Sequence, residues 1–78
     1  MERPFGRDLF RTTFVEDRTQ GFSGLQLHRE NDGKVTLAAE IIFWDAMGQY
    51  FLETFGRDVP VDIIEMLIAE AKERINIR

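Results

Sequence analysis

The residues best suited to chemistry lie in one short segment, around the only histidine of the chain. His28 and Glu30 are two positions apart, so on a β-strand their side chains share one face and could offer two ligands to a metal ion. A metal site needs three or four converging ligands, and a third is missing, because Glu40 is expected opposite Gly24, several residues away. We therefore interpret His28 as a surface histidine beside Thr36, and we predict neither a metal nor a cofactor.

The residues needed for nucleophilic catalysis do not form a recognisable set. The chain has no cysteine, and its only serine, Ser23, lies in GFSGLQ rather than in the G-x-S-x-G pattern of a nucleophile elbow. The adjacent carboxylates Glu16 and Asp17 are typical of a turn rather than of acid–base catalysis. No dinucleotide-binding or Walker glycine pattern is present. The sequence thus indicates a protein that is not an enzyme.

Composition and charge exclude further classes of function. A chain of 78 residues forms one domain with one core, and 44% hydrophobic residues exclude a disordered chain. Fourteen acidic and ten basic residues give a net charge of −4, and the bases are scattered among acids. We therefore expect no nucleic-acid partner. No long apolar run or signal-like start is visible, so we expect no membrane partner, and the lack of cysteine favours a cytoplasmic location.

The pattern of apolar residues predicts a small α+β fold in a single domain of residues 1–78. Residues 1–8 are expected to be an irregular lead-in, residues 9–55 an antiparallel β-meander of three to four strands, and residues 59–75 an amphipathic helix that packs on one face of the sheet. The apolar positions of this helix recur at intervals of three and four: Val61, Ile64, Leu67, Ile68, Ala71 and Ile75. The alternative is a β-hairpin followed by two helices, which Gly48 and the run IIFW disfavour.

The loops are expected to set the register of the sheet. A three-residue loop over Asn31-Asp32-Gly33 gathers the leucines of both flanking strands on one face, which a two-residue turn would not do. A similar loop over residues 46–48 pairs Trp44 with Tyr50. One face then carries Leu25, Leu27, Val35, Leu37, Ala39, Ile41, Phe43, Phe51 and Phe55.

The opposite face of the predicted sheet is also apolar, although only one helix is available to cover the two faces. At one end it carries Phe22, Ile42, Trp44, Tyr50 and Leu52, and at the other end Gln26, His28 and Thr36. The first strand or residues 1–8 could fold back over these side chains, or a protein partner or a second copy of the chain could cover them. We expect a non-enzymatic protein-interaction module that forms a homodimer through this face.

An alternative function is the binding of a small molecule, or an accessory role in an enzyme. In this alternative His28, Arg29 and Glu30 would line a polar end of the strands.

The tetrapeptide FGRD occurs twice, at residues 5–8 and 55–58. The residues that follow the two copies are dissimilar, so we interpret both as turn devices rather than as an internal repeat. In the second copy Asp58 is predicted to cap the helix that follows.

Overall fold

The computed structural model describes residues 1–75, and it contains an antiparallel sheet and one helix. The α+β class is confirmed, but the sheet has five strands rather than three or four, in the order β1-β2-β3-β4-β5. Residues predicted to form helices in the alternative fold belong instead to β4 and β5. The elements are β1 Glu2–Phe5, β2 Asp8–Asp17, β3 Phe22–Asn31, β4 Lys34–Trp44, β5 Gln49–Thr54 and α1 Val61–Arg74.

The fifth strand comes from the N-terminal segment, for which the sequence predicts an irregular lead-in. Phe5 pairs with Asp8 across a two-residue turn, and Gly6 at the first central position has a φ of 60°. A glycine in that conformation is what a type II′ hairpin turn requires. Pro4 weakens the strand pattern in the sequence, but proline is tolerated on an edge strand. The prediction for residues 1–8 was therefore wrong.

The β3–β4 hairpin combines a tight turn with a β-bulge. Asp32 and Gly33 have φ values of 50° and 78° and form a two-residue turn, so the predicted three-residue loop is wrong. Ala38 is the extra residue that shifts the register, because Leu27 pairs with Ala39 while the preceding pair joins His28 to Leu37. Beyond the bulge, Ala39, Ile41 and Phe43 share the helix side of the sheet with the buried Leu25 and Leu27. The two-residue turn places Val35 and Leu37 on the face opposite to the one predicted.

The β4–β5 loop has four residues, so Trp44 pairs with Gln49 rather than with Tyr50. A register difference of one residue moves every side chain of a strand to the other face of the sheet. Tyr50 and Leu52 consequently lie on the side that α1 covers, and Phe51 lies on the opposite side.

The core lies between α1 and the sheet, where the helix packs against β3 and β4. The sequence pattern predicts Val61 on the buried apolar stripe of the helix, but Val61 is 71% exposed. The buried stripe of α1 begins instead at Ile63. The buried hydrophobic residues are Phe10, Leu25, Leu27, Ala38, Ala39, Ile41, Phe43, Ile63, Leu67, Ala71 and Ile75.

Arg29 connects the two FGRD segments. Its Nε lies 3.4 Å from Oδ2 of Asp8, and its terminal nitrogen donates a hydrogen bond of 2.8 Å to the backbone carbonyl of Asp58. The guanidinium also lies over the ring of Phe10, 4.9 Å from its centroid. Helix α1 begins at Val61 without a side-chain cap, so the predicted capping role of Asp58 is wrong. The backbone of Asp58, rather than its carboxylate, makes the contact that fixes this loop.

A second polar cluster joins α1 to β2. The Thr12 hydroxyl lies 3.0 Å from each carboxylate oxygen of Glu70 and shares its one hydrogen between them, and Arg74 donates a further hydrogen bond of 2.8 Å. The Met1 ammonium lies 3.1 Å from the same carboxylate. Burial by itself would raise the pKa of Glu70, but Arg74, the Met1 ammonium and Thr12 outweigh it, so the pKa lies below its ordinary value of 4.5.

Candidate interaction surface

The sheet has an open face, which we define as the side opposite α1. Strand register assigns the side chains of this face, because directly paired residues point to the same side. Within residues 1–75, α1 is the only helix, and it packs on the other side. The apolar residues of the open face are Leu9, Val15, Phe22, Val35, Leu37, Ile42, Trp44 and Phe51.

One end of the open face carries an aromatic cluster, which comprises Phe22, Ile42, Trp44 and Phe51. Phe22 pairs with Trp44, and their ring centroids are 5.1 Å apart with the planes tilted by 58°. Ile42 pairs with Phe51, which is 45% exposed. Tilted aromatic pairs at this distance are favourable, and large rings supply much contact area in protein interfaces.

Gly24 keeps the aromatic cluster and β2 close together. A Cβ on this glycine would lie 3.0 Å from Cγ2 of Val15 and 3.2 Å from the carbonyl oxygen of Ile41. A side chain at position 24 would therefore displace Val15, which fills the space beside Ile42. The sequence shows this glycine inside a strand pattern, which is a signal for a close approach of this kind.

Polar residues occupy the middle of the open face. Pairing places Thr13, Gln26, Glu40 and Glu53 in one row across four strands. The Gln26 amide donates a hydrogen bond of 3.2 Å to Glu40, and Glu40 lies directly opposite Glu53. Within residues 1–75 neither Glu40 nor Glu53 forms an ion pair with a basic side chain, so the negative charge of this row opposes the approach of a phosphate backbone.

His28 and Glu30 share the open face, as the spacing predicts. Glu30 forms an ion pair with Arg11, and Glu40 interacts with Gln26. In the part of the chain that the structure describes, no group of three or more His, Cys, Asp or Glu residues is placed to hold a metal.

The residues expected to line a small-molecule site are divided between the two sides of the sheet. Arg29 pairs with Phe10 and lies on the helix side, where Asp8 and Asp58 hold it. His28 and Glu30 lie on the open face. Thr36, which the sequence places beside His28, pairs with Arg29 on the helix side. The three predicted residues therefore do not converge on one ligand.

The predicted interface residues are partly brought together. Phe22, Ile42 and Trp44 form the centre of the aromatic cluster, whereas Tyr50 packs against Phe43 on the helix side, with ring centroids 5.0 Å apart. Leu52 is 47% exposed and also lies on the helix side, at the edge of the sheet. Sequence reasoning missed Phe51, which a four-residue β4–β5 loop would have placed on the open face.

Comparison of the chain with protein-family models, with curated proteins and with solved structures finds no significant match in any of the three. No helix in residues 1–75 combines the length and the apolar character that crossing a bilayer requires. The function is therefore argued from the surface itself.

Proposed function

We propose that the protein is a non-enzymatic protein-interaction module that self-associates through the aromatic cluster and the adjoining strand β5. The observation that supports this is the open face, where an aromatic cluster stands on the side of the sheet opposite the only described helix. Monomeric proteins rarely expose large contiguous apolar patches, because association or folding normally removes them from water.

The chemistry of the surface favours a protein partner. Glu40 and Glu53 lie beside the aromatic cluster, and the whole chain carries a net charge of −4. Nucleic-acid binding takes its affinity mainly from cations placed against phosphates, whereas Arg11 on the open face is already paired with Glu30. Tryptophan and phenylalanine at its centre match the residues that dominate protein interfaces.

Self-association also fits the size of the chain. A domain of 78 residues without cysteine has a small core and no disulfide to support it. Burial of exposed Phe51 against a second copy would add to the apolar area that stabilises the fold. The absence of cysteine is also in keeping with a reducing compartment such as the cytoplasm.

The test is the molar mass in solution, measured by light scattering coupled to size-exclusion chromatography. We expect wild type to be a dimer and Phe51→Asp to be a monomer, because a carboxylate at this position would be desolvated in the interface. Val35→Asp is the matched control, since Val35 is 55% exposed on the same face at the far end from the cluster. Wild type that remains monomeric up to its solubility limit contradicts the proposal. Equal effects of the two variants contradict the assignment to the cluster.

A further inference from the structure

The two outer edges of the sheet differ in how they are protected. β1 is four residues long and consists of Glu2, Arg3, Pro4 and Phe5. Short length, charged residues and proline are the features by which proteins prevent an edge strand from pairing with another chain. β5 has six residues, no proline and no lysine or arginine, and Glu53 is its only charged residue. The β5 edge is therefore the unprotected one.

The backbone of β5 has hydrogen-bonding groups that point away from β4. The Phe55 amide donates a hydrogen bond to the carbonyl of Ala38. Along an antiparallel strand, residues that exchange hydrogen bonds with the neighbouring strand alternate with residues whose N–H and C=O groups point away from that neighbour. The backbone N–H and C=O groups of Gln49, Phe51 and Glu53 therefore point toward β4. Those of Tyr50, Leu52 and Thr54 point outward, away from the sheet.

Exposed apolar side chains concentrate on and around the same strand. Met47, Phe51, Leu52 and Phe55 are 63%, 45%, 47% and 39% exposed. Phe51 lies on the open face and Leu52 on the helix side, so the edge is apolar on both sides. An apolar groove beside Leu52 also runs between β5 and the helix, and its lining includes Tyr50, Ile68 and Ala71. A strand added to this edge would cover apolar surface on both sides of the sheet.

We propose that β5 pairs antiparallel with β5 of a second copy, about a two-fold axis that passes beside Phe51. The two sheets of five strands then form one continuous sheet, and the two aromatic clusters become neighbours on a shared open face. Phe51 lies opposite Phe51 of the second copy, and Tyr50 exchanges hydrogen bonds with Leu52 of the second copy. This arrangement rests on the proposed function, because it specifies the geometry of the self-association.

Charge selects this register among the two-fold alternatives. Centring the pair on Phe51 places the Gln49 amide opposite the Glu53 carboxylate of the second copy, where the amide can donate a hydrogen bond. Centring it on Glu53 would place two carboxylates directly opposite each other, which is destabilising. Centring it on Leu52 would place each Phe51 opposite a Glu53. Only the Phe51-centred register combines an aromatic pair with two amide–carboxylate pairs.

The absence of cysteine from the chain makes disulfide cross-linking a clean test. Phe51→Cys places two thiols at a non-hydrogen-bonded pair, where the Cα atoms are about 4.5 Å apart, within the range that a disulfide spans. Under mild oxidation we expect Phe51→Cys to cross-link about tenfold faster, or more, than Val35→Cys, because pairing raises the effective concentration of the thiols. A mixture of Gln49→Cys and Glu53→Cys chains should form the mixed dimer in preference to either homodimer.

Leu52→Pro provides an independent test that does not depend on thiol chemistry. The Leu52 amide points outward, so proline should leave the β4–β5 ladder intact and block pairing with a second copy. We expect a folded monomer, with a circular dichroism spectrum like that of wild type. Edge pairing would be overturned if wild type and Leu52→Pro are both dimers and Phe51→Cys forms disulfide cross-links no faster than Val35→Cys. The proposed function would then remain intact. Cross-linking of Leu52→Cys instead of Phe51→Cys would overturn the register, and a monomeric wild type would overturn both proposals.

Discussion

The orientation of α1 on the sheet can be tested by a pair of truncations on the same helix. Leu67 is fully buried, whereas Val61 is 71% exposed, although the apolar periodicity of the sequence places both on one stripe. Leu67→Ala removes buried methylene and methyl groups and leaves a cavity, which typically costs about 2 to 5 kcal/mol. Since small domains are stable by only about 5 to 15 kcal/mol, this loss is a large fraction of the total.

The corresponding shift in melting temperature should be large and easily measured. A loss of 1 kcal/mol lowers Tm by about 4 to 8 °C in a domain of this size, so the loss of about 2 to 5 kcal/mol in Leu67→Ala should lower Tm by roughly 8 to 40 °C. Val61→Ala should change the free energy of unfolding by less than about 0.5 kcal/mol, because it removes exposed atoms and introduces a better helix former.

Circular dichroism melts and urea titrations of both variants, at one protein concentration, provide the comparison. Equal destabilisation by the two substitutions, or a larger effect of Val61→Ala, would refute the orientation of α1 in which Ile63 and Leu67 are buried and Val61 is exposed. Unchanged stability of Leu67→Ala would refute the packing of α1 altogether.

The remaining predictions concern the Glu70 cluster and the β-bulge. Because the pKa of Glu70 is lowered in the folded state, its carboxylate should stabilise the fold fully above the ordinary value of 4.5 and lose this effect as the pH falls through the folded pKa. The difference in free energy of unfolding between wild type and Glu70→Gln should therefore shrink on acidification, and a difference that is constant with pH would contradict the assignment. Deletion of Ala38 removes a buried methyl group and the carbonyl that accepts the hydrogen bond from the Phe55 amide, so it should cost about 0.5 to 3 kcal/mol, while every other pair of the β3–β4 hairpin can persist without the bulge. A nuclear Overhauser contact between Leu27 and Ala39 in the deletion variant would confirm the retained register, and its loss would show that Ala38 is needed to set it.

The sequence was sufficient to predict the class of fold and the C-terminal helix, because both follow from apolar periodicity over many residues. It was insufficient for the registers, which depend on single residues. In the β3–β4 hairpin a two-residue turn without a bulge would place the leucines of the two strands on opposite faces, so the apolar pattern favours a three-residue loop. In the structure Leu37 does lie on the face opposite to Leu25 and Leu27, and the bulge at Ala38 brings the residues from Ala39 onward into register with the two buried leucines. No residue type in the segment TLAAE identifies which alanine is unpaired.

The interaction surface was predictable to a similar degree. Phe22, Ile42 and Trp44 were identified because the β3–β4 register beyond the bulge differs from the predicted one by two residues, which leaves their side chains on the predicted face. The predicted β4–β5 loop was one residue too short, so the prediction placed Tyr50 and Leu52 on the open face, where the structure has Phe51. β1 was missed because a strand of four residues containing proline has almost no period-two signal.

The order of the strands has a consequence for how the chain reaches this structure. Each strand pairs with the one that precedes it in sequence, and every connection within the sheet is a short hairpin loop. Each pairing step therefore closes only a short loop and loses little conformational entropy, because every strand pairs with a neighbour in the sequence. The contacts that span the greatest separation in sequence join α1 and the segment before it to the sheet, through the core stripe, Glu70 and the carbonyl of Asp58. We infer that the sheet can assemble as a succession of hairpins, and that docking of the helix is the step that makes the fold cooperative.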